Sequence, residues 1–360
     1  MMARSHSDIG DALDVPSHRI ELLRAIGQAL AGAQRVLLTT HVNADGDGAG
    51  SETAIAAWLR SLGKTVWITN PTAFPDLYRH LLHDPGIVAD PGTARAVEAM
   101  RTSDLAVVLD TGEPSRVGRV ADALDGRPVA VIDHHLASDA TIEGIVLQDA
   151  SACATGELVY DLLSVESVPR PWAPAIVEGI YTAIVTDTGS FRYSNTSPRS
   201  HAIAADLIAQ GVDPEAVYRR IFATVPLKRV QLLRHALDHL EVDPELPITW
   251  ISIDRGIMES LGTTSDDLEG IVEQARSVEG TEVAILFRAT SDNATKISLR
   301  SSGAVNVNAI ARLFGGGGHM KASGALVGRP LQVVRPEVLE ATRAAVRAEG
   351  LGFRPSRDSS

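Results

Sequence analysis

The run Pro128-Val-Ala-Val-Ile132, followed at once by Asp133-His134-His135, decides how this chain is read. A short, continuously apolar run fits a strand buried on both faces of a sheet. The same form recurs at Arg35-Val-Leu-Leu-Thr-Thr40, Thr65-Val-Trp-Ile-Thr69 and Leu105-Ala-Val-Val-Leu109. Helical spacing predicts a helix over 49–62, ended by Gly63, and another around 93–100. This β-α-β rhythm predicts a parallel sheet covered on both sides. From 155 to 210 the pattern is mainly helical, and 226–240 reads as a further helix joining two domains. A second alternating region follows, with strands over 248–253, 283–289 and 295–300 and helices over 266–278 and 306–314.

A chain of 360 residues suffices for two domains, each with its own core. The expected organisation is a polar, disordered start over 1–17, a larger parallel-sheet α/β domain over 18–212 and a helical linker over 213–245. A smaller α/β domain over 246–346 and a disordered tail over 347–360 complete it. The single cysteine, Cys153, rules out an internal disulfide framework and fits a reducing cytoplasm. The start lacks a signal-peptide core and no run of about 18 apolar residues occurs, so a cytoplasmic protein without a membrane span is expected. The formal charge of −12 argues against binding long nucleic acid. Residues 281–330 run the other way, with six Lys or Arg against two acids. That imbalance suggests a small anionic ligand.

The first strand runs directly into His41-Val-Asn-Ala-Asp45-Gly-Asp47-Gly-Ala-Gly-Ser51. Its glycines allow a tight turn that brings one imidazole and two carboxylates together. An EF-hand fails on counting from Asp45, because loop positions five and twelve are Ala49 and Ala56. The dinucleotide fingerprint fails too, since the third glycine position after Gly46 is Ser51. Further acids follow other apolar segments: Asp110 after Leu109, the Asp133-His134-His135 triplet, and Asp187 after Gly179–Thr186. A single strand-end aspartate is usually a cap or turn former. Four such ends in one domain would repel strongly unless cations lay between them. His41, Asp45, Asp47, Asp110, His134 and Asp187 are enough for two metal ions if one carboxylate bridges. Two such ions promote displacement at phosphorus, and mixed imidazole and carboxylate donors suit manganese.

These motifs resemble the DHH phosphoesterase superfamily, which is named for the triplet at 133–135, and the likeness extends from about His18 to Val346. Arg300-Ser-Ser and Phe314-Gly-Gly-Gly-Gly-His319-Met-Lys-Ala-Ser-Gly324 are similar to the glycine-rich signature of the DHH-associated C-terminal domain. Length and layout are most similar to the NrnA-type branch. That branch degrades very short RNA and dephosphorylates 3′-phosphoadenosine 5′-phosphate (pAp). The resemblance implies two Mn²⁺, with Mg²⁺ or Co²⁺ as substitutes. One ion would use His41, Asp45 and Asp110, and the other Asp47, Asp110, His134 and Asp187. Asp110 would bridge, His135 would contact the scissile phosphate or assist proton transfer, and Asp133 would orient His134. Ala44 and Gly48 depart from the usual residues at those positions without removing a donor.

In the second domain, Arg300, Gly316, Gly317, Gly318 and His319 are the candidate substrate contacts. Side-chain-free residues let a phosphate approach backbone N–H groups, and a guanidinium suits phosphate or base. Arg192 is a lesser candidate. The expected function is hydrolysis of short oligoribonucleotides or pAp in a cleft between the domains, without long duplex substrates. Cyclic or linear dinucleotide hydrolysis and a non-catalytic nucleotide sensor are the alternatives. A homodimer is a further expectation from the resemblance.

Overall fold

The computed structural model describes residues 11–136 and 140–352. The chain divides between Thr224 and Val225 into two compact units. The first holds α1 (Ser17–Gly32), β1 (Arg35–Thr39), α2 (Gly46–Ser61), β2 (Thr65–Ile68), α3 (Ala94–Thr102) and β3 (Leu105–Leu109). It continues with β4 (Val129–Asp133), β5 (Ile145–Gln148), α4 (Thr155–Val165), α5 (Pro174–Asp187), α6 (Pro198–Ala209) and α7 (Pro214–Ile221).

Its sheet has five parallel strands in the order β2-β1-β3-β4-β5. Alternate side chains along each central strand enter different cores. Val36, Leu38, Val107, Leu109, Ala130 and Ile132 join the core beneath α1, α2, α4 and α5. Leu37, Ala106, Val108, Val129 and Val131 join the one beneath α3. Burial on both faces is why these strands read as continuous apolar runs. The strand order reverses at β1, with β2 on one side and β3 on the other. In open α/β sheets the crevice beyond such a switch point is where sites form, and here it lies beyond Thr39 and Leu109.

Helices α2 and α5 pack face to face at glycine. A Cβ on Gly50 would stand 2.3 Å from the Gly179 carbonyl oxygen, and one on Gly179 would stand 2.6 Å from that of Gly50. Asp47 sits in the first turn of α2 and Asp187 ends α5. The close approach of two backbones therefore sets the relation of those carboxylates.

The second unit holds α8 (Leu227–Asp238), β6 (Leu240–Val242), β7 (Ile248–Ile253), α9 (Arg255–Leu261), α10 (Ile271–Arg276) and β8 (Val283–Ser291). Then come β9 (Ala294–Ser301), α11 (Val307–Leu313), β10 (Gly317–Gly318), β11 (Ala322–Val327) and α12 (Leu331–Ala348). Its mixed sheet runs β10-β11-β9-β8-β7-β6, with only β7 and β8 parallel. Val283, Ile285 and Phe287 face the core with α11 and α12, while Ala284 and Leu286 face that with α8 and α10. Among the described residues no helix is long and apolar enough to cross a membrane.

Several expectations change. Asp187 ends a helix, not a strand; α5 is buried on nearly every side, so its sequence lacks a polar stripe. Helix α2 begins at Gly46 rather than Ala49, because Asp45 caps it by accepting from the N–H groups of Asp47 and Gly48. The helix expected over 266–278 breaks at Gly270, whose φ is 82°. The stretch 213–245 contributes strand β6 as well as helices, too short to show a pattern. Within the expected disordered start, Asp11–Leu13 form a 3-10 turn, and Arg199 Nη1 donates to the carbonyls of Ala12 and Asp14. Ser17 opens α1, and Arg347 and Ala348 still belong to α12, so the expected disordered ends reach too far inward, while residues 1–10 and 353–360 lie outside the described residues.

Gly50→Ala should destabilise the first unit by about 1–3 kcal/mol, the usual cost of overpacking a tight contact. Urea unfolding reads the effect as a lowered midpoint, and a midpoint equal to wild type would contradict the glycine contact.

Candidate metal centre

Five elements deliver the acidic and imidazole side chains to one place. His41 and Asp45 follow β1, Asp47 opens α2, Asp110 follows β3, His134 and His135 follow β4, and Asp187 closes α5. Their donor atoms form three groups: His41 with Asp45 and Asp110, Asp110 with His134 and His135, and Asp47 with His134 and Asp187. All six expected ligands are therefore brought together, with Asp110 and His134 each belonging to two groups.

His134 Nε2 is buried and has no hydrogen-bond partner. It lies 3.6 Å from Asp47 Oδ2, 3.6 Å from Asp110 Oδ1 and 3.7 Å from Asp187 Oδ2. His41 Nε2 lies 3.2 Å from Asp110 Oδ2 and 3.7 Å from Asp45 Oδ2. Donors about 2.1 Å from a shared ion stand roughly 3–4 Å from one another, depending on the angle between them, so these spacings fit divalent cations. His41 Nδ1 contacts the Val42 carbonyl at 2.9 Å. A carbonyl only accepts, so Nδ1 donates to it, and Nε2 is the nitrogen turned toward the carboxylates, donating to them until a cation takes the place of its proton.

Asp110 has a backbone φ of 62°, rare for a non-glycine residue and concentrated at functional sites. Its N–H donates to the Ile132 carbonyl at 2.9 Å. Oδ2 faces His41, whereas Oδ1 faces His134 and lies 3.8 Å from His135 Nδ1. The two oxygens of one carboxylate thus point to different donor groups.

Partners that the sequence does not advertise hold the other acids. Asp47 accepts from the backbone N–H of Thr155 at 2.6 Å and of Gly156 at 2.9 Å, and from the Ser51 hydroxyl at 3.2 Å. Thr155 Oγ1 donates to Asp110 Oδ1 at 3.1 Å. Asn195 Nδ2 donates to Asp187 Oδ2 at 3.0 Å and to the Cys153 carbonyl at 2.8 Å. Asp133 does not steady His134 as expected. Its Oδ1 accepts from the backbone N–H of His135 and contacts that ring's Nδ1 at 2.7 Å, while Oδ2 accepts from Gln148. An aspartate readily bonds the backbone two residues on, and that turn carries the His135 ring along with it. Thr155, Ser51, Asn195 and Gln148 are common polar residues without distinctive spacing, so no sequence signal marks them.

Arg300, Gly316, Gly317, Gly318 and His319 belong to the second unit. Arg300 Nε donates to Glu273 Oε1 at 3.0 Å. Gly317 and Gly318 pair with Gly324 and Ser323, and His319 exchanges backbone bonds with Ala322 to close the hairpin. A Cβ on Gly316 would stand 2.1 Å from the Gly324 carbonyl oxygen, and one on Gly318 would stand 2.6 Å from that of Ala322. Those two glycines serve the approach of β11. Gly317 alone is open, with Asn308 Oδ1 3.9 Å from its would-be Cβ. Arg192 Nε donates to the Gly189 carbonyl at 2.6 Å, which ties it into its own turn.

Burial, then the charges of Asp110, Asp187 and Asp45, hold the Asp47 carboxyl well above its ordinary range. Burial lifts Asp187 to about 6, with the charge of His134 opposing it and those of Asp110 and Asp45 adding to it. Burial would depress His41, but its contacts with Asp110 and Asp45 prevail and raise it to about 10. Glu52, buried beneath the cluster and bonded to Asn70, is raised by burial to about 8 and adds no charge at neutral pH.

The sign of the pH effect follows. A carboxyl raised on folding binds its proton more firmly in the folded chain, so its contribution to stability falls as pH rises from the ordinary carboxylate range to about 6. Cation binding requires the deprotonated donors and runs the opposite way. Manganese should therefore raise the melting temperature much more at about pH 7.5 than at about pH 5. An equal rise at both pH values would remove these carboxylates from the binding site.

Comparison with known proteins gives the family. Residues 35–184 match the DHH family N-terminal domain, and residues 254–348 match the DHHA1 domain. The chain is 33% identical over 339 residues to the bifunctional oligoribonuclease and PAP phosphatase NrnA of Thermus thermophilus, covering 92% of this chain and 96% of that one. The protein of the same name from Bacillus subtilis is 28% identical over 62% of this chain and 70% of its own. In fold, an exopolyphosphatase-related protein from Bacteroides fragilis is similar with a TM-score of 0.81. That structure is 24% identical and covers 91% of this chain and 96% of its own. With both domains matched in order and the likeness spanning nearly its whole length, the chain belongs to the DHH family.

Proposed function

We propose that this chain is a metal-dependent phosphoesterase that hydrolyses very short oligoribonucleotides and pAp with two Mn²⁺ at the centre described above. The observation that carries the reading is the Asp110 carboxylate, shared between two donor groups with its oxygens facing apart. One ion would be held by His41, Asp45 and Asp110, the other by Asp47, Asp110, His134 and Asp187. Four carboxylates supply four negative charges, which two divalent cations balance. Such a pair, when bound, lowers the pKa of water and neutralises charge developing on a phosphoryl group.

The remaining work falls to the chain. His135 has its Nδ1 engaged by Asp133, a bond that raises the ring's pKa despite burial. It is therefore suited to meet a phosphate as a cation and to give a proton to the departing oxygen through Nε2. Its side chain is 42% exposed, unlike the ligand imidazoles at 7% and 12%, so a substrate can reach it. The NrnA relatives are named for both activities, and similarity over nearly the full length of the Thermus protein supports the same substrates here. The net charge of −12 disfavours long nucleic acid and fits short substrates. A sensor without catalysis would have no need to keep all six donors converged.

The deciding experiment follows manganese-dependent phosphate release from pAp beside shortening of a short RNA and of a linear dinucleotide. Asp110→Ala should cost more than about a thousandfold, roughly 4 kcal/mol in barrier, because both ions lose a ligand. Activity within tenfold of wild type in that variant would overturn the shared-carboxylate reading.

A further inference from the structure

We propose that Thr155 is a positioning residue for this centre, its hydroxyl setting the rotation of the Asp110 carboxylate and hence how its oxygens are shared between two ions. The inference deepens the proposed function and rests on Asp110 as the shared ligand. Thr155 is completely buried and touches two of the acids at once. Its backbone N–H donates to Asp47 at 2.6 Å and its hydroxyl to Asp110 Oδ1 at 3.1 Å. One residue of α4 thereby links the first turn of α2 to the end of β3.

The hydroxyl is not spent on its own helix. Ala154, the N-cap of α4, has no side-chain acceptor, and the first two N–H groups of that helix go to Asp47 instead. The position of Thr155 is itself fixed, because a Cβ on the next residue, Gly156, would stand 2.4 Å from the Ala183 Cβ. The start of α4 therefore lies directly against α5, the helix that ends in Asp187. The backbone of Asp110 is held at its left-handed φ by the bond to Ile132, leaving side-chain rotation as its main freedom. Thr155 at Oδ1 and His41 at Oδ2 define that rotation from opposite sides. Without the hydroxyl the carboxylate can turn, and sharing between the two donor groups is lost.

Thr155→Val keeps the shape and the backbone clamp on Asp47 but removes the donor; Thr155→Ser keeps the donor. Thr155→Ala, which also lacks it, is measured alongside in case the valine variant does not fold. Manganese binding is followed by calorimetry, and electron paramagnetic resonance reads the fraction of spin-coupled ion pairs. The valine and alanine variants should bind manganese about 10–100-fold more weakly, the usual cost of losing a partner of a ligand, with a smaller coupled fraction. Their kcat for pAp should fall while KM stays within about twofold, and serine should restore wild-type behaviour. Wild-type affinity and coupling in folded valine or alanine variants would overturn the role of Thr155 and leave the metal centre standing. Equal loss in the serine variant would also overturn it, because the hydroxyl would then not be the cause. A wild-type chain that binds no manganese pair would sink the proposal together with the reading beneath it.

Discussion

Four aspartates gathered within a few ångströms repel one another, and the architecture of the first unit is organised around containing that repulsion. At about 4 Å, two such charges interact by roughly 4 kcal/mol at the effective dielectric typical of proteins. A fold of ordinary stability cannot absorb several such terms unaided. The upward displacement of Asp47 and Asp187 records the strain, as does the buried His134 nitrogen that has no partner among the protein's own groups. Divalent cations bound among these groups would relieve every one of these features together. Binding there would couple to folding.

The surrounding scaffold supplies donors where the charges are most deeply buried. The N-terminus of α4 presents two N–H groups to Asp47, and that end of a helix favours negative charge. Asp187 relies on Asn195, whose amide also holds the Cys153 carbonyl and so joins the end of α5 to the residues preceding α4. Beneath them lies the largest apolar core, to which α1, α2, α4, α5 and one face of the sheet contribute. Separate rigid elements thus deliver one or two candidate ligands each with little freedom, which suits an active site better than one flexible loop.

Much of this was legible in the chain. The strands over 35–39, 65–68, 105–109 and 129–133 stand out because burial on both faces leaves no polar alternation. The donors beyond three of them stand out because histidines and aspartates after apolar runs are chemically unusual. Asp187 could be picked as a candidate, but its apolar surroundings hid a helix: α5 is buried all round, and a short apolar run does not distinguish a strand from a buried helix. Strand β5 escaped because it is only four residues long and partly exposed. The glycine run 315–318 suggests openness to a phosphate, whereas Gly316 and Gly318 make room for the neighbouring backbone of β11.

Local residue chemistry and short-range periodicity were enough to read the doubly covered parallel sheet and to name six candidate donors, because both are written in neighbouring residues. Tertiary structure decided which oxygen of Asp110 faces which imidazole, that Asp133 serves His135, and that Thr155, more than a hundred residues from Asp47, touches two of the acids. Those relations depend on how helices and strand ends converge through packing, and a linear pattern carries no information about the distance between residues so far apart along it.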